Sequence, residues 1–210
     1  IRSRSFVELL QPLDTYQAAP VGFLMIAKLM TLIFGYNDFA LRLYSLLCGL
    51  STILLMYWVS RKISPNISPL AVALVATSYF YIYYASEFKQ YASDAMIALF
   101  YLGLAIQTIQ SPTRKNIQLM ALVGMVSVWF SHPAIFMLAG MGLVLWIHSI
   151  FKRDGVTARN LTVMGILQLI SFGIVYLGVY RQTVTGTATA DFMNEIWQKS
   201  FLHLNVNSIM

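Results

Sequence analysis

"ALRLYSLLCGLSTILLMYWVS", Ala40 to Ser60, decides the fold. It holds a single charge, Arg42, and Arg61 and Lys62 follow at once. As a helix it would run about 30 Å at roughly 1.5 Å per residue, the thickness of a bilayer's hydrocarbon core. The apolar residues do not alternate with polar ones, so a lipid-crossing helix fits and a barrel strand does not.

Similar runs lie on both sides. Ser68 to Ala85, Tyr91 to Ile109, Ile117 to Phe130, Ala134 to Phe151 and Leu161 to Tyr180 are each about the length of a crossing. Short polar connections separate them: "RKISPNIS", "QSPTRKN", "SHP" and "KRDGVTARN". The 210-residue chain is 58% hydrophobic and 10% charged, with a mean hydropathy of +0.68. A soluble domain carries about a quarter charged residues, so this chain cannot cover a large watery surface. The reading is all-α: a polytopic transmembrane bundle of about six spans with one interfacial helix. Cys48 is the only cysteine, which excludes an internal disulfide. The net charge of +6 is that of a membrane protein with basic loops near anionic headgroups, so membrane lipids, and not nucleic acid, are the expected partners.

Lysine and arginine set the orientation. Arg61 and Lys62, then Arg114 and Lys115, then Lys152, Arg153 and Arg159 fall in alternate connections. With these facing the cytoplasm every span alternates correctly. Asp38, the stretch Glu87 to Asp94, His132 and the tail from Arg181 then lie on the far side. Three regions follow: residues 1–39 as part of an outer loop, 40–180 as the transmembrane domain, and 181–210 as the start of a further outer loop. The first apolar run, Pro20 to Gly35, is short for a crossing and has Lys28 in its middle. A helix lying in the interface, with Lys28 snorkelling to water, is preferred over a span.

The outer groups suggest chemistry. In "YYASEFKQYASD", Tyr83 to Asp94, a glutamate, a lysine and an aspartate sit between apolar runs. A carboxylate there can act as a base, hold a cation or bind a sugar hydroxyl, and Lys89 can neutralise a phosphate. If a helix begins near Phe88, Glu87 caps it, and Tyr91 and Asp94 share a face at i, i+3. Asp94 then lies about a turn inside, where an unpaired carboxylate is costly. A capping Glu87, a Lys89 paired with it and a tyrosine belt explain the same residues structurally. His132, in a turn at the membrane surface, is a binding candidate, although a lone histidine there is more often structural. Lys28 and Arg42 are candidates for a lipid phosphate, and a headgroup anchor explains Arg42 equally well. No second histidine or cysteine stands at metal-ligand spacing, and neither a phosphate loop nor a Gly-x-Ser-x-Gly elbow occurs.

The order of these motifs resembles a family. "QAAPVGFLMIAKLMTLIFGYNDFALRLYSLLCGLSTILLMYWVSRKI" is similar to the stretch after the first span of GT-C-type glycosyltransferases that use polyprenyl-phosphate sugars. Protein O-mannosyltransferase-like enzymes and aminoarabinose transferases belong to that group. Pro20, Phe34-Gly35, Asn37-Asp38, Ala40-Leu41-Arg42 and Arg61-Lys62 carry the likeness. "YYASEFKQYASD" and "FSHPAIF" resemble its later outer motifs, and the likeness covers most of Gln11 to Phe151.

The resemblance implies sugar transfer from a polyprenyl-phosphate donor to a lipid, glycan or protein acceptor, outside the cytoplasm, in a bacterial inner membrane. It implies substrate-binding roles for Glu87, Lys89, Tyr91, Asp94 and His132. The phosphate leaves with its charge neutralised by basic groups or a divalent cation, so a cation is compatible with the chemistry without being required. The family's base lies before the Pro-containing start, and Asp14 does not fit its position. The base is therefore expected upstream of Ile1, with the chain a fragment inactive alone. Ala18 and Ala19 stand where relatives often carry His or Lys, which departs from the pattern. The alternative is a transporter or lipid flippase using Glu87 and Asp94 as an ion site.

Overall fold

The computed structural model describes residues 1–13, 18–181 and Glu195. A short 3-10 turn, Glu8–Leu10, precedes eight α-helices among these residues. They are α1 (Val21–Phe34), α2 (Asp38–Ile63), α3 (Ser68–Ala76), α4 (Tyr79–Ser86), α5 (Tyr91–Gln110), α6 (Arg114–Phe130), α7 (Ala134–Phe151) and α8 (Gly155–Val175). A π-helical turn, Tyr176–Tyr180, extends α8. The described residues include no strand. Nearly all of the tail 181–210 lies outside the described residues.

Helix ends follow local chemistry. Asn37 starts α2 by accepting the Ala40 N–H at 2.8 Å. Gly35, at φ 78°, ends α1 in a backbone region that a side chain disfavours. Asp154 accepts the Thr157 N–H at 3.0 Å, so α8 begins at Gly155 and not near Leu161. Likewise, Thr113 caps α6, which opens at Arg114 before the apolar run begins. Hydropathy marks the part of a helix that lies in lipid, and caps mark where the helix itself begins.

Among the described residues four helices are long and apolar enough to cross a membrane: Asp38–Ile63, Tyr91–Gln110, Ala134–Phe151 and α8 with its π turn, Gly155–Tyr180. Helix α6, with 17 residues, falls just below that length. Ser68 to Ala85, read from sequence as one crossing, forms the broken pair α3–α4. The Thr77 hydroxyl bonds back to the Ala73 carbonyl at 2.7 Å, and Ser78 N–H shifts to the Val75 carbonyl. Such back-bonding competes with the helical ladder and bends it. Both halves still pack along α2.

The most extensive helix pair is α2 with α5. Gly103 permits it, because a Cβ there would sit 1.8 Å from the Trp58 ring. The main core joins α5, α6, α7 and α8 through Tyr101, Met120, Leu138, Leu145, Leu161 and Met164. Within it the Gln168 amide donates to the Tyr101 hydroxyl at 3.0 Å and the Met120 carbonyl at 3.1 Å. Buried polar groups in lipid need such partners.

Helix α1 does not run through the bundle. At about 1.5 Å per residue its 14 residues reach about 21 Å. Its first half is buried against α2 and α6, while Leu32, Ile33 and Phe34 are exposed. The helix is thus docked by its first half, with its apolar tip uncovered.

Candidate functional site

The site end gathers segments distant in sequence. The Phe23 ring of α1 stacks on Phe88 at 5.2 Å and tilts against Tyr44 at 5.7 Å. Leu9, Phe23 and Leu24 form a small buried core joined by Ala19, Tyr44 and Phe88. The Ser45 hydroxyl donates to the Lys89 carbonyl at 3.0 Å, tying the α4–α5 loop to α2. A Cβ at Gly22 would lie 2.8 Å from the Trp129 carbonyl oxygen, which brings α1 onto the end of α6. The acidic and histidine-bearing connections thus share one end. Lys62, Gln107 and Asn116 meet at the other, through bonds of 3.2 and 3.1 Å.

Asp94 sits in the first turn of α5, its N–H donating to the Gln90 carbonyl at 2.9 Å. The Ser131 side chain, from the α6–α7 turn, stands beside its carboxylate in the same cavity wall. Its Oδ1 is buried and has no partner. Beside it lies a cavity of about 540 Å³, lined by Asp94, Ile97, Ser131, Pro133, Phe136 and Met137. A carboxylate oxygen left without a donor in an apolar wall is costly, and a donor on a ligand would satisfy it.

His132 follows Ser131, and burial pushes its imidazole below the ordinary value of 6.5. At neutral pH the ring is therefore uncharged, with one nitrogen donating and the other accepting. Tyr180 meets it edge-on, with ring centroids 4.6 Å apart. The Tyr180 hydroxyl donates to the Val128 carbonyl at 3.4 Å. The π turn closing α8 sets that tyrosine at the mouth of the bundle, and π turns recur at functional sites.

Other sequence candidates fall differently. Glu87 does not cap α5. The turn in which Lys89 N–H bonds the Glu87 carbonyl at 2.8 Å takes up the intervening residues, and Gln90 becomes the N-cap. Glu87 instead closes α4 and faces Arg42 at 4.0 Å, with both side chains partly exposed. Lys89 is exposed and pairs through its backbone. Tyr91 is nearly half exposed and packs edge-on against Tyr84 at 4.7 Å. The Lys28 ammonium donates to the carbonyls of Ile1 and Arg2 at 3.1 and 3.2 Å, holding the N-terminal segment on α1. Among the described residues no three His, Cys, Asp or Glu side chains gather where a metal ion could be held.

An apolar groove of about 700 Å³ runs down the bundle between α1, α2, α5 and α6. Ile26, Leu54, Phe100, Leu122 and Val126 line it. Ile97 lines this groove and the Asp94 cavity alike, so an apolar chain in the one could carry a polar head into the other.

Sequence reasoning passed over Ser131, Tyr180 and the Arg42–Glu87 pairing. Ser131 had a signal in its place beside His132. Tyr180 had none, because its contacts reach back to Val128 and His132 across a whole helical hairpin.

Comparison with known proteins identifies a family. The dolichyl-phosphate-mannose-protein mannosyltransferase family matches residues 17–176. No curated protein and no solved structure matches the chain.

Proposed function

The chain belongs to the dolichyl-phosphate-mannose-protein mannosyltransferase family, and on that premise we propose that this membrane glycosyltransferase moves a sugar from a polyprenyl-phosphate donor to an acceptor hydroxyl at the extracytoplasmic face of a bacterial inner membrane. The observation that carries the reading is the unpartnered Asp94 Oδ1 beside a cavity that adjoins a lipid-sized apolar groove. The polyprenyl tail lies in the groove, and the sugar enters the cavity. Asp94 accepts a hydrogen bond from a sugar hydroxyl, and Ser131 holds the carboxylate in place.

Transfer is a single displacement. The acceptor oxygen bonds to the anomeric carbon as that carbon's bond to the phosphate oxygen breaks. The electron pair leaves with the polyprenyl phosphate, and the acceptor's proton passes to a general base. Arg42 and Lys89, on the segments flanking Asp94, offer positive charge to the departing phosphate. Arg42 can turn from Glu87 to do so, since both partners are partly exposed. Lys28 serves by positioning the N-terminal segment. The acceptor is a lipid, a glycan or a protein.

One observation favours a transporter: the break between α3 and α4, since transporters interrupt helices near their sites. Against it, Glu87 does not line the Asp94 cavity, so the two carboxylates share no ion site there. Full-length protein in vesicles with a labelled polyprenyl-phosphate hexose tests the choice. Donor should be consumed, and Val126→Lys in the groove should raise KM for a long-chain donor more than for a short-chain one. Lipid or ion movement without donor consumption would put the transporter ahead.

A further inference from the structure

A second cavity, of about 300 Å³, lies on the other side of Ser131. Its walls are mostly aromatic: His132, Phe136, Phe172, Tyr176 and Tyr180, with Ala18 at the edge. Ser131 and Phe136 line both this pocket and the Asp94 cavity, so the two are neighbours across one serine. The aromatic pocket shares no lining residue with the lipid groove, whereas the Asp94 cavity does. The donor therefore has a continuous berth that leaves the aromatic pocket empty.

Resting on the glycosyltransfer reading, we propose that this pocket is the acceptor subsite and that it takes a single sugar ring of a glycan acceptor. Size supports one ring. Small-molecule pockets run from roughly 300 to 1,000 Å³, so this one is at the small end and would not hold an oligosaccharide. Chemistry supports a sugar. Phe172 and Tyr176 stack at 5.8 Å, and Tyr180 is fixed by its edge contact with His132. Their rings offer electron-rich faces to the C–H face of a pyranose. Ser131, which also lines the Asp94 cavity, and the adjacent His132 supply polar groups where an acceptor hydroxyl would turn towards the donor. A peptide would need backbone donors and acceptors along its length, and this aromatic lining does not supply them. Tyr176 and Tyr180, four residues apart, share one face and stand in one wall.

Saturation-transfer NMR on the full chain in nanodiscs tests this, with methyl glucoside, galactoside, mannoside and xyloside as probes and a serine-containing tetrapeptide as the rival. At least one glycoside should receive saturation at its ring C–H protons. Tyr176→Ala and Tyr180→Ala should each cut that signal at least fivefold, while Tyr180→Phe, which keeps the ring, should keep it. Tyr176 is partly exposed, so its variant retains the fold even if Tyr180→Ala does not. Absence of any glycoside signal, loss of signal in Tyr180→Phe, indifference to both alanine variants, or binding of the peptide alone would each overturn the subsite. Donor consumption by the unaltered protein is read separately. Its failure would remove the glycosyltransfer reading while leaving the sugar pocket to stand or fall on the NMR.

Discussion

Each end of the bundle has a buried polar atom without a partner, and the two differ in what they face. At the basic end it is His148 Nε2, beside a cavity of about 30 Å³ with Asp154 and Thr157 in its wall. One water occupies about that volume, so a single buried water answers the need. At the other end Asp94, whose Oδ1 has no partner, is a lining residue of a cavity of about 540 Å³. Elsewhere at that end polar groups bond one another. Lys62 reaches Gln107 and lies 4.9 Å over the Trp58 ring, and Gln107 reaches Asn116. On the proposed reading, an unsatisfied atom marks a ligand site when its residue lines a space larger than a water.

The sharpest way to break this contrast is substitution at both atoms. Asp94→Asn should lower sugar transfer by about 10²-fold or more with the protein still folded, as expected when a group that acts in the transition state is lost. His148→Gln should leave the rate within about twofold, since its role would be packing and one water. Rates in vesicles decide it, and equal losses would erase the distinction between the ends.

Packing gives the next effect. Gly103→Leu pushes a side chain into the Trp58 ring and should destabilise by about 1–3 kcal/mol in detergent unfolding. Gly140→Leu meets nothing within 4 Å and should change stability by less than about 0.5 kcal/mol. A similar cost at both would show that the α2–α5 contact is looser than its geometry.

A pH titration sharpens the site end. Burial lowers the His132 value, so the folded protein binds its proton less readily than the unfolded chain. The neutral ring's contribution is intact above the ordinary value of 6.5 and is lost as pH falls through the lowered one. Transfer and melting temperature should both fall on the acid side, and His132→Gln should flatten that limb. A limb unchanged by the substitution would assign the titration elsewhere.

The smallest effect belongs to Arg42 and Glu87. Partly exposed ion pairs contribute about 0.2–1 kcal/mol. A double-mutant cycle with Arg42→Met and Glu87→Gln should give a stability coupling in that range or below it. A larger coupling would mean that the pair is a structural clasp, and Arg42 would then be unavailable to a phosphate.

Much of the fold was legible in the sequence. The apolar runs announced helices, and Pro20 and Gly35 bracketed α1 to within a residue of each end. The differences have local causes. Ser68 to Ala85 is apolar throughout its middle except for Thr77 and Ser78, and hydropathy is blind to a hydroxyl that bonds its own backbone. The start of α8 hid in "KRDGVTARN", because a capped helix needs no lipid to begin. At the site, Asp94 and His132 were visible as charge and imidazole in greasy surroundings. Ser131 and Tyr180 were not, since a serine and a tyrosine are ordinary in such a chain.

Sequence alone determined the class of molecule, since too few charges to cover a surface and runs of bilayer length leave only a lipid-embedded helical bundle. Its alternating basic connections also separated the groups that share one end from those that share the other. Tertiary structure decided which of those groups meet. Asp94 finds Ser131, 37 positions later, and His132 finds Tyr180, 48 positions later. Glu87 finds Arg42 in place of a helix end. Helical periodicity orders neighbours three or four residues apart, whereas contact between helices depends on close approaches such as those at Gly22 and Gly103. Those approaches are properties of the assembled bundle, and the two cavities flanking Ser131 are what they leave open.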